Sequence, residues 1–527
     1  MNRNETILGR AARSTGLVMG LLALAKVVGL VRQQIVARQF GTGAEYDAYQ
    51  AALAAPELLT TLLAYSTLGI AFIPIFTGLL TQGRPERANR LASSVLNNVL
   101  LVVAVVALGM AAAAPVVVSA PWGVGPGFAP ETQALTVRLL RVALIAAAIF
   151  SLSGIFSSML HAHQHFFTPA LAPIVYDLGV IMGALALAPR MGIMGLAWGV
   201  VVGALLHAGV QIPALVRQGV RWSPALGWTD PELGRVLTLM APRVVDLLMA
   251  RLSIQWINAN LASRLMEGSV SAIGYAYQLM NMPETIIGTA IGFVFLPTLS
   301  TFVAQEDIDA QRRALSGALR AILALTLPAA VGLLVFGRPV IQVLFQRGEF
   351  TAESTEMVYW ALQFYALGLI THSMLEVAVR AFAARQDTLT PLVVSFFTTA
   401  LNIGLAAWLI GPLAHGGLAL ANSAAVGVEV LADLTILHIR WKGIHARRVG
   451  IDALKAALAA GVMGVAVIGF QRLLSPGTLV FVLVGGVLGV AIYFALALAL
   501  GIREMRTIPV ALMRSLLPHR SAGGGAE

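Results

Sequence analysis

Apolar positions in this chain come in long unbroken runs, not in the narrow stripe that a water-facing helix turns toward a core. The stretch 92–118, for example, passes without a charged residue. Runs of about 20 residues match the hydrocarbon thickness of a bilayer. A hydropathy window of roughly 19 residues predicts about 14 membrane-spanning helices. The first six lie near 15–35, 47–80, 92–118, 134–160, 169–188 and 192–216. The next six lie near 234–263, 270–303, 318–337, 355–383, 390–410 and 416–439, and two more near 453–471 and 478–501. The expected class is an all-α polytopic membrane protein. The first run, Thr15 to Val31, contains Lys26 and leads straight into further spans, so a retained helix is expected rather than a cleaved leader.

Composition agrees with the pattern. Hydrophobic residues make up 58% of the chain and charged residues 11%, with a mean hydropathy of +0.82. Soluble domains carry about 25% charged residues, so most of this surface does not meet water. The net charge of +10 is read as basic loops facing anionic lipid headgroups, with no nucleic-acid partner. With an N-terminus inside, roughly 23 basic residues fall in cytoplasmic loops and roughly 6 outside, a bias that places both termini in the cytoplasm. There is no cysteine, which excludes thiol nucleophiles, disulfides and cysteine-ligated metal.

An internal repeat organises the spans. Gly127-Phe128-Ala129-Pro130-Glu131-Thr132 resembles Glu349-Phe350-Thr351-Ala352-Glu353-Ser354, an offset of 222 (350 − 128). Gln164-His165-Phe166-Phe167-Thr168-Pro169 against Gln386-Asp387-Thr388-Leu389-Thr390-Pro391, and Gly195-Leu196-Ala197 against Gly417-Leu418-Ala419, keep the same offset. Ala48-Tyr49-Gln50 with Pro56-Glu57 echoes Ala276-Tyr277-Gln278 with Pro283-Glu284 in a slightly shifted register. Six spans per copy is an even number, so both copies enter the membrane in the same direction, as a parallel repeat. The expected organisation is an N-lobe over 1–220, a C-lobe over 221–440, and two added spans with a cytoplasmic tail over 441–527. Folds of this kind hold the substrate between lobes and alternate access by rocking.

Catalytic signatures are missing: neither a phosphate-cradling Gly-x4-Gly-Lys-Ser/Thr loop nor a His-Glu-x2-His helix occurs. A non-enzymatic transporter without resident cofactor or metal is expected. His161, His163 and His165 cluster without carboxylate or cysteine, which favours a solvated loop over a metal site. Charge at membrane depth is more informative. Lys26 and Arg32 lie in or near the first span, Arg138 and Arg141 open the fourth, and Arg243, Asp246 and Arg251 sit in the seventh. An isolated charge at the bilayer centre costs about 3 kcal/mol or more, so such residues face a cavity or a partner. Cations outnumber the one obvious carboxylate, Asp246, which suits an anionic phosphate or pyrophosphate ligand. Each also has a plainer reading. Arg243 and Asp246, at i and i+3, neutralise one another, and Arg138, Arg141 and Arg32 snorkel to headgroups. Pro56, Pro74, Pro283 and Pro297 interrupt equivalent spans and fit either bending hinges or static kinks. Asn258, Asn402 and Asn422 fit either a cation site of amide oxygens or interhelical hydrogen bonds. Gly485-x3-Gly489 reads as helix packing.

Several segments resemble a known family. They are Val28-Gly29-Leu30-Val31-Arg32 through Ile35-Val36-Ala37-Arg38-Gln39-Phe40-Gly41, Asp47-Ala48, Phe72-Ile73-Pro74, Leu344-Phe345-Gln346-Arg347-Gly348-Glu349-Phe350-Thr351, Arg385-Gln386-Asp387-Thr388-Leu389-Thr390-Pro391 and Gly416-Gly417-Leu418-Ala419-Leu420-Ala421. In that order they resemble the MurJ/MviN lipid II flippases of the MOP transporter superfamily. The resemblance implies a two-lobed fold with a cationic cavity, in a bacterial plasma membrane. It implies movement of an undecaprenyl-pyrophosphate-linked peptidoglycan precursor to the outer leaflet, driven by membrane potential or a monovalent cation. On that reading Lys26, Arg32, Arg243 and Arg251 bind the pyrophosphate, and Arg38 and Asp47 contribute to an outer gate. Partners are the lipid-linked glycan, membrane lipids and candidate envelope-synthesis proteins.

The sequence also departs from the family pattern. Lys26 stands where arginine is usual, Thr60 replaces the second-span arginine, and Tyr277-Gln278 replaces an Asp-Arg pair. Asn258 and Ala406 stand where some members carry sodium-binding carboxylates. The alternatives these leave open are a flippase for another lipid-linked oligosaccharide and a non-transporting envelope scaffold. A cation-coupled drug exporter of the same superfamily is disfavoured by the excess of arginine over cavity carboxylate.

Overall fold

The computed structural model of the chain describes residues 3–63, 65–238, 240, 255–502 and 504–505. Among these residues the regular structure is entirely helical, and twelve helices are long and apolar enough to cross a membrane. In chain order the helices that matter here begin with α1 (Arg3–Phe40), α2 (Ala44–Leu63), α3 (Tyr65–Thr81) and α4 (Pro85–Ala112). They continue with α5 (Pro130–Ala162), α6 (Phe167–Met191), α7 (Ile193–Arg217), α8 (Ser269–Ala304), α9 (Ile308–Phe345) and α10 (Ala352–Ala384). The last are α11 (Leu389–Leu413), α12 (His415–Arg440), α13 (Ala446–Leu474) and α14 (Thr478–Ala499). The second predicted span is helical on both sides of residue 64, which lies outside the described residues. Of the seventh, residues 239 and 241–254 lie outside the described residues, and the helix Ile257–Ala262 belongs to its far end.

The repeat read from three short motifs extends to the main chain. α5 and α10 each run 33 residues and are offset by 222 at both ends (352 − 130 and 384 − 162). Each ends in the same reverse-wound cap. Gln164 and Gln386 both take φ +59. Gln164 N–H donates to the His161 carbonyl (2.9 Å) and His165 N–H to that of Leu160 (2.8 Å), while Gln386 and Asp387 bond Ala383 and Phe382 at 2.9 and 3.1 Å. This is the Schellman arrangement, with glutamine at the left-handed position that glycine usually fills. The corner before α7 and α12 repeats as well: Gly192 (φ 58, ψ −145) corresponds to Ala414 (φ 48, ψ −134).

Contacts divide the chain into two compact units, Met1–Gly274 with Leu344–Met357, and Tyr275–Val343 with Val358–Glu527. In the first unit α6 and α7 meet through glycines. A Cβ on Gly179, Gly183, Gly195, Gly199 or Gly203 would strike the backbone of the facing segment. Lipid offers no hydrophobic drive for helices to associate, so close backbone approach supplies the attraction. α6 carries a wider π turn at Gly183–Leu187, where this approach is tightest. In the second unit Phe295, Leu299, Leu319, Ile322, Val377, Phe382 and Leu437 form a core between α8, α9, α10 and α12. Arg320 on α9 holds Asp452 (3.3 Å) on α13 and Glu504 (3.4 Å), fastening the C-terminal helices. Pro283 lies just before a π turn, Thr285–Thr289, within α8. A Cβ on Gly489 would sit 3.3 Å from Val467 and 3.6 Å from Met463 of α13, so this glycine lets the two helices approach closely.

Candidate functional site

In the first unit the chemistry gathers on α1, α2 and α6. Arg32 Nη1 donates to Asp177 Oδ1 at 2.8 Å, with the two side chains 24% and 10% exposed. Gly29, one turn earlier on α1, makes room for the carboxylate: a Cβ there would sit 3.2 Å from Asp177 Oδ2. The Tyr176 ring lies 5.9 Å from the guanidinium carbon. Tyr46 and Tyr49 stack at 5.7 Å, and the Tyr46 hydroxyl accepts from Gln33 (3.4 Å) and Gln50 (3.2 Å). Further along α2, Glu57 accepts from Gln255. Arg32 is thus positioned by one carboxylate and one ring while part of its surface stays open. A guanidinium with five donors, held on one side, can take an anionic oxygen on the other.

At the α1–α2 turn a second set of polar groups is fully engaged. Asp47 is 2% exposed and accepts three hydrogen bonds: from Gly268 N–H (2.7 Å), Ser271 N–H (2.7 Å) and Ser271 Oγ (2.6 Å). It therefore caps the N-terminus of α8 from another part of the chain, where free N–H groups and the helix dipole favour negative charge. The Arg38 carbonyl accepts from Glu349 N–H at 2.9 Å, and Thr42 Oγ1 donates to Ser354 Oγ at 2.8 Å. Gly41 (φ +53) packs directly on the Glu349 main chain, and Gly348 (φ +63) on that of Arg38. Both glycines are required twice, by backbone angle and by contact. The segment Leu344–Met357 thus seats against the α1–α2 turn within the first unit.

The other sequence-predicted residues separate into groups. Lys26 is exposed, as are Arg138 and Arg141, the last donating to the Ala111 carbonyl at 3.1 Å. Exposure of those two fits their plainer, headgroup-facing reading. Arg38 contributes to the turn through its carbonyl, and its side chain is exposed. Arg243, Asp246 and Arg251 lie outside the described residues. Asn258 is buried in the first unit, and Asn402 and Asn422 are buried in the second. Asn422 Oδ1 pairs with His372 Nε2 at 3.1 Å. His163 packs edge-on against Phe76 at 5.5 Å and His161 against Phe166 at 5.3 Å. Burial pushes the His163 imidazole below its usual value.

One expectation needs correction. Asp246 is not the single carboxylate at membrane depth: Asp177 faces Arg32, and in the second unit Glu284 and Glu376 lie with Arg380, which pairs with Glu376. The rule that intramembrane ionisable residues mark sites would have found Asp177 and Glu376, since both sit inside apolar runs. The local charge balance therefore no longer separates a flippase from a cation exporter.

Relatives do separate them. A family model described as lipid II flippase MurJ matches residues 36–488. The chain belongs to the MurJ lipid II flippase family. The lipid II flippase MurJ of Burkholderia cenocepacia is 33% identical over 442 residues, covering 81% of this chain and 83% of that protein. The probable lipid II flippase MurJ of Vibrio cholerae is 28% identical over 525 residues, covering 94% and 98%. A solved structure of lipid II flippase MurJ in an inward closed conformation matches with a TM-score of 0.79 at 22% identity, over 95% of this chain and all of that one. An inward-facing MATE multidrug transporter of the MOP superfamily matches at 0.69 and 15% identity, over 81% of this chain and 98% of its own. At these identities the structures establish the fold, and the family model and the sequence relatives establish the family. Within that MurJ frame, Thr60 uses its hydroxyl locally, donating to the Glu57 carbonyl at 3.1 Å.

Proposed function

We propose that this protein flips lipid II, the undecaprenyl-pyrophosphate-linked peptidoglycan precursor, from the inner to the outer leaflet of a bacterial plasma membrane. The observation that carries the reading is the 33% identity to the Burkholderia cenocepacia lipid II flippase over most of both chains. Arg32 is the substrate contact best supported by geometry, because Asp177 and Tyr176 orient a guanidinium that keeps an open face. Lys26, Arg243 and Arg251 complete the cationic set on the resemblance alone. The Asp47, Arg38 and Thr42 contacts act as the outer gate, made and broken once per cycle. The chain performs no covalent chemistry, both termini are cytoplasmic, and membrane potential or a monovalent cation supplies the driving force. Lipid II is the principal partner, with envelope-synthesis proteins as further ones.

A second reading, flipping of another undecaprenyl-linked oligosaccharide, is favoured by Thr60 and Tyr277-Gln278, where the resemblance leads one to expect charge. Complementation decides between them. A bacterium depleted of its own lipid II flippase is expected to grow with the wild type and to fail with Arg32→Ala at equal membrane abundance. Failure of the wild type as well, with good expression, rejects lipid II as substrate. Rescue by Arg32→Ala removes that arginine from the pathway.

A further inference from the structure

The second unit contains a buried acid that the transport reading does not use. Asp433 on α12 is 0% exposed, and neither carboxyl oxygen has a hydrogen-bond partner among the described residues. Glu429 precedes it by one helical turn and accepts from Thr398 Oγ1 of α11 at 3.2 Å. Asn422, a further seven residues back on the same face, meets His372 of α10. At 1.5 Å per residue this polar column runs about 16 Å along α12 from Asp433 to Asn422, and Asp433 itself lies about 10 Å from the helix end at Arg440.

The repeat provides an internal comparison. At the 222 offset Asp433 corresponds to Gln211 and Glu429 to His207. In the first copy this level carries no carboxylate, and its polar side chains bond one another. Ser157 Oγ donates to Gln211 Oε1 (2.8 Å), Gln211 Nε2 donates to Ser153 Oγ (2.7 Å), and Ser153 Oγ meets His207 Nδ1 (2.6 Å). Ser153 and Ser157 become Leu375 and Val379 in the second copy. The slot has therefore exchanged an amide with partners for a carboxylate without them. An ionised carboxylate left so in apolar surroundings is strongly disfavoured unless a cation accompanies it.

We propose that Asp433 is a proton-carrying carboxyl, and that Glu429, Thr398 and the Asn422–His372 pair continue its path along α12. Few other charges face it. α11 carries no ionisable residue over Leu389–Leu413. On α10, Glu376 and Arg380 pair with each other, and His372 holds Asn422. At the helix end, Arg440 pairs with Asp387 and Arg312 donates to the Trp441 carbonyl. Glu429, one turn back on the same face of α12, is the ionisable side chain that this spacing brings nearest to Asp433 along the helix. A proton fits best, because neither Asp433 oxygen meets a polar partner among the described residues, whereas sodium needs several oxygen ligands around it at once. The role in driving transport rests on the flippase reading; the site itself does not.

Dicyclohexylcarbodiimide, which reacts with protonated carboxyls in apolar surroundings, tests it on the purified wild type without lipid II. Mass spectrometry is expected to place the adduct on Asp433, with labelling falling at least about tenfold between about pH 6 and pH 9, as for a site that exchanges protons. Sodium at constant pH leaves the labelling unchanged, and Asp433→Asn abolishes the adduct. Glu429→Gln shifts the profile toward lower pH, since it removes a like charge from the same helix face. Absence of label at Asp433, label independent of pH, or protection by sodium each overturns the proposal. A protein that labels but fails complementation loses the flippase reading and keeps the site; one that complements without labelling does the reverse.

Discussion

Replacing Asp47 by asparagine keeps the shape of the side chain and removes its charge. In the wild type the carboxylate accepts from Gly268 N–H, Ser271 N–H and Ser271 Oγ at 2.6–2.7 Å, almost entirely out of water. Asparagine has one acceptor oxygen. It can keep both Ser271 bonds, but it then turns its amide toward the Gly268 N–H, donor against donor. The loss is one charge-assisted hydrogen bond, about 1.5–3 kcal/mol, plus a helix-terminus charge interaction of about 0.5–1 kcal/mol. The contact should weaken by about 2–4 kcal/mol, or roughly 30- to 1000-fold in its equilibrium, at about 1.4 kcal/mol per decade. Hydrogen exchange of a peptide spanning Gly268 to Ala272 measures this directly, because its protection depends on that equilibrium. Ser271→Ala, which removes the hydroxyl with its bond to Asp47 and its longer one to the Gly268 carbonyl (3.2 Å), should cost about 1 kcal/mol, or roughly fivefold. An Asp47→Asn protein that is folded and exchanges within about threefold of wild type would show that the carboxylate does not hold the start of α8.

Three further outcomes are expected. The chain has no cysteine, so Thr42→Cys with Ser354→Cys, whose native oxygens are 2.8 Å apart, should form a disulfide on a clean background. If that contact opens during transport, complementation is lost under oxidation and returns with reductant; full activity of the cross-linked protein refutes the gate. Ala414 occupies a backbone region natural to glycine, as its counterpart Gly192 shows, so Ala414→Gly should stabilise the purified protein by about 1 kcal/mol and raise its melting temperature, with no rise counting against strain. Asp387 caps α11 through Thr390 N–H (3.0 Å) and Oγ1 (2.7 Å) and pairs with Arg440. Burial pushes its carboxyl up, but the Thr390 and Arg440 interactions outweigh this and hold it below the usual carboxylate value. Its contribution is therefore present above the unfolded value and lost as pH falls through the lowered one; Asp387→Ala should cost about 1 kcal/mol at neutral pH, with the deficit shrinking in acid in pH-dependent melting curves.

The proposed coupling site changes how the repeat is understood. Gln164 and Gln386 keep the same strained cap and α5 and α10 the same length, so the two copies have conserved their frame. Their polar interiors have diverged, with a bonded amide at Gln211 and a bare acid at Asp433. One copy presents an oriented arginine and the other an acid column, a division of labour that suits a transporter in which substrate and driving ion are handled by different halves.

The sequence alone determined the helical class, the approximate spans and the repeat register, because each is written in neighbouring residues. A run such as 92–118 must be helical in lipid, where every backbone polar group has to be satisfied within the segment. Motifs 222 residues apart align whether or not they touch. Arg32 was also legible, since a charge in or beside an apolar run demands a reason, whereas Asp47 stood out only through the family resemblance. What each charge meets was decided only in three dimensions. Asp177 lies 145 residues from Arg32, and Gly268 lies 221 residues from Asp47; no local pattern encodes such pairings. The isolation of Asp433 was equally hidden, because being unbonded depends on Leu375 and Val379 of another helix replacing two serines. Local periodicity fixes where helices form; the free energy of a buried charge depends on which distant groups the packed helices bring to it.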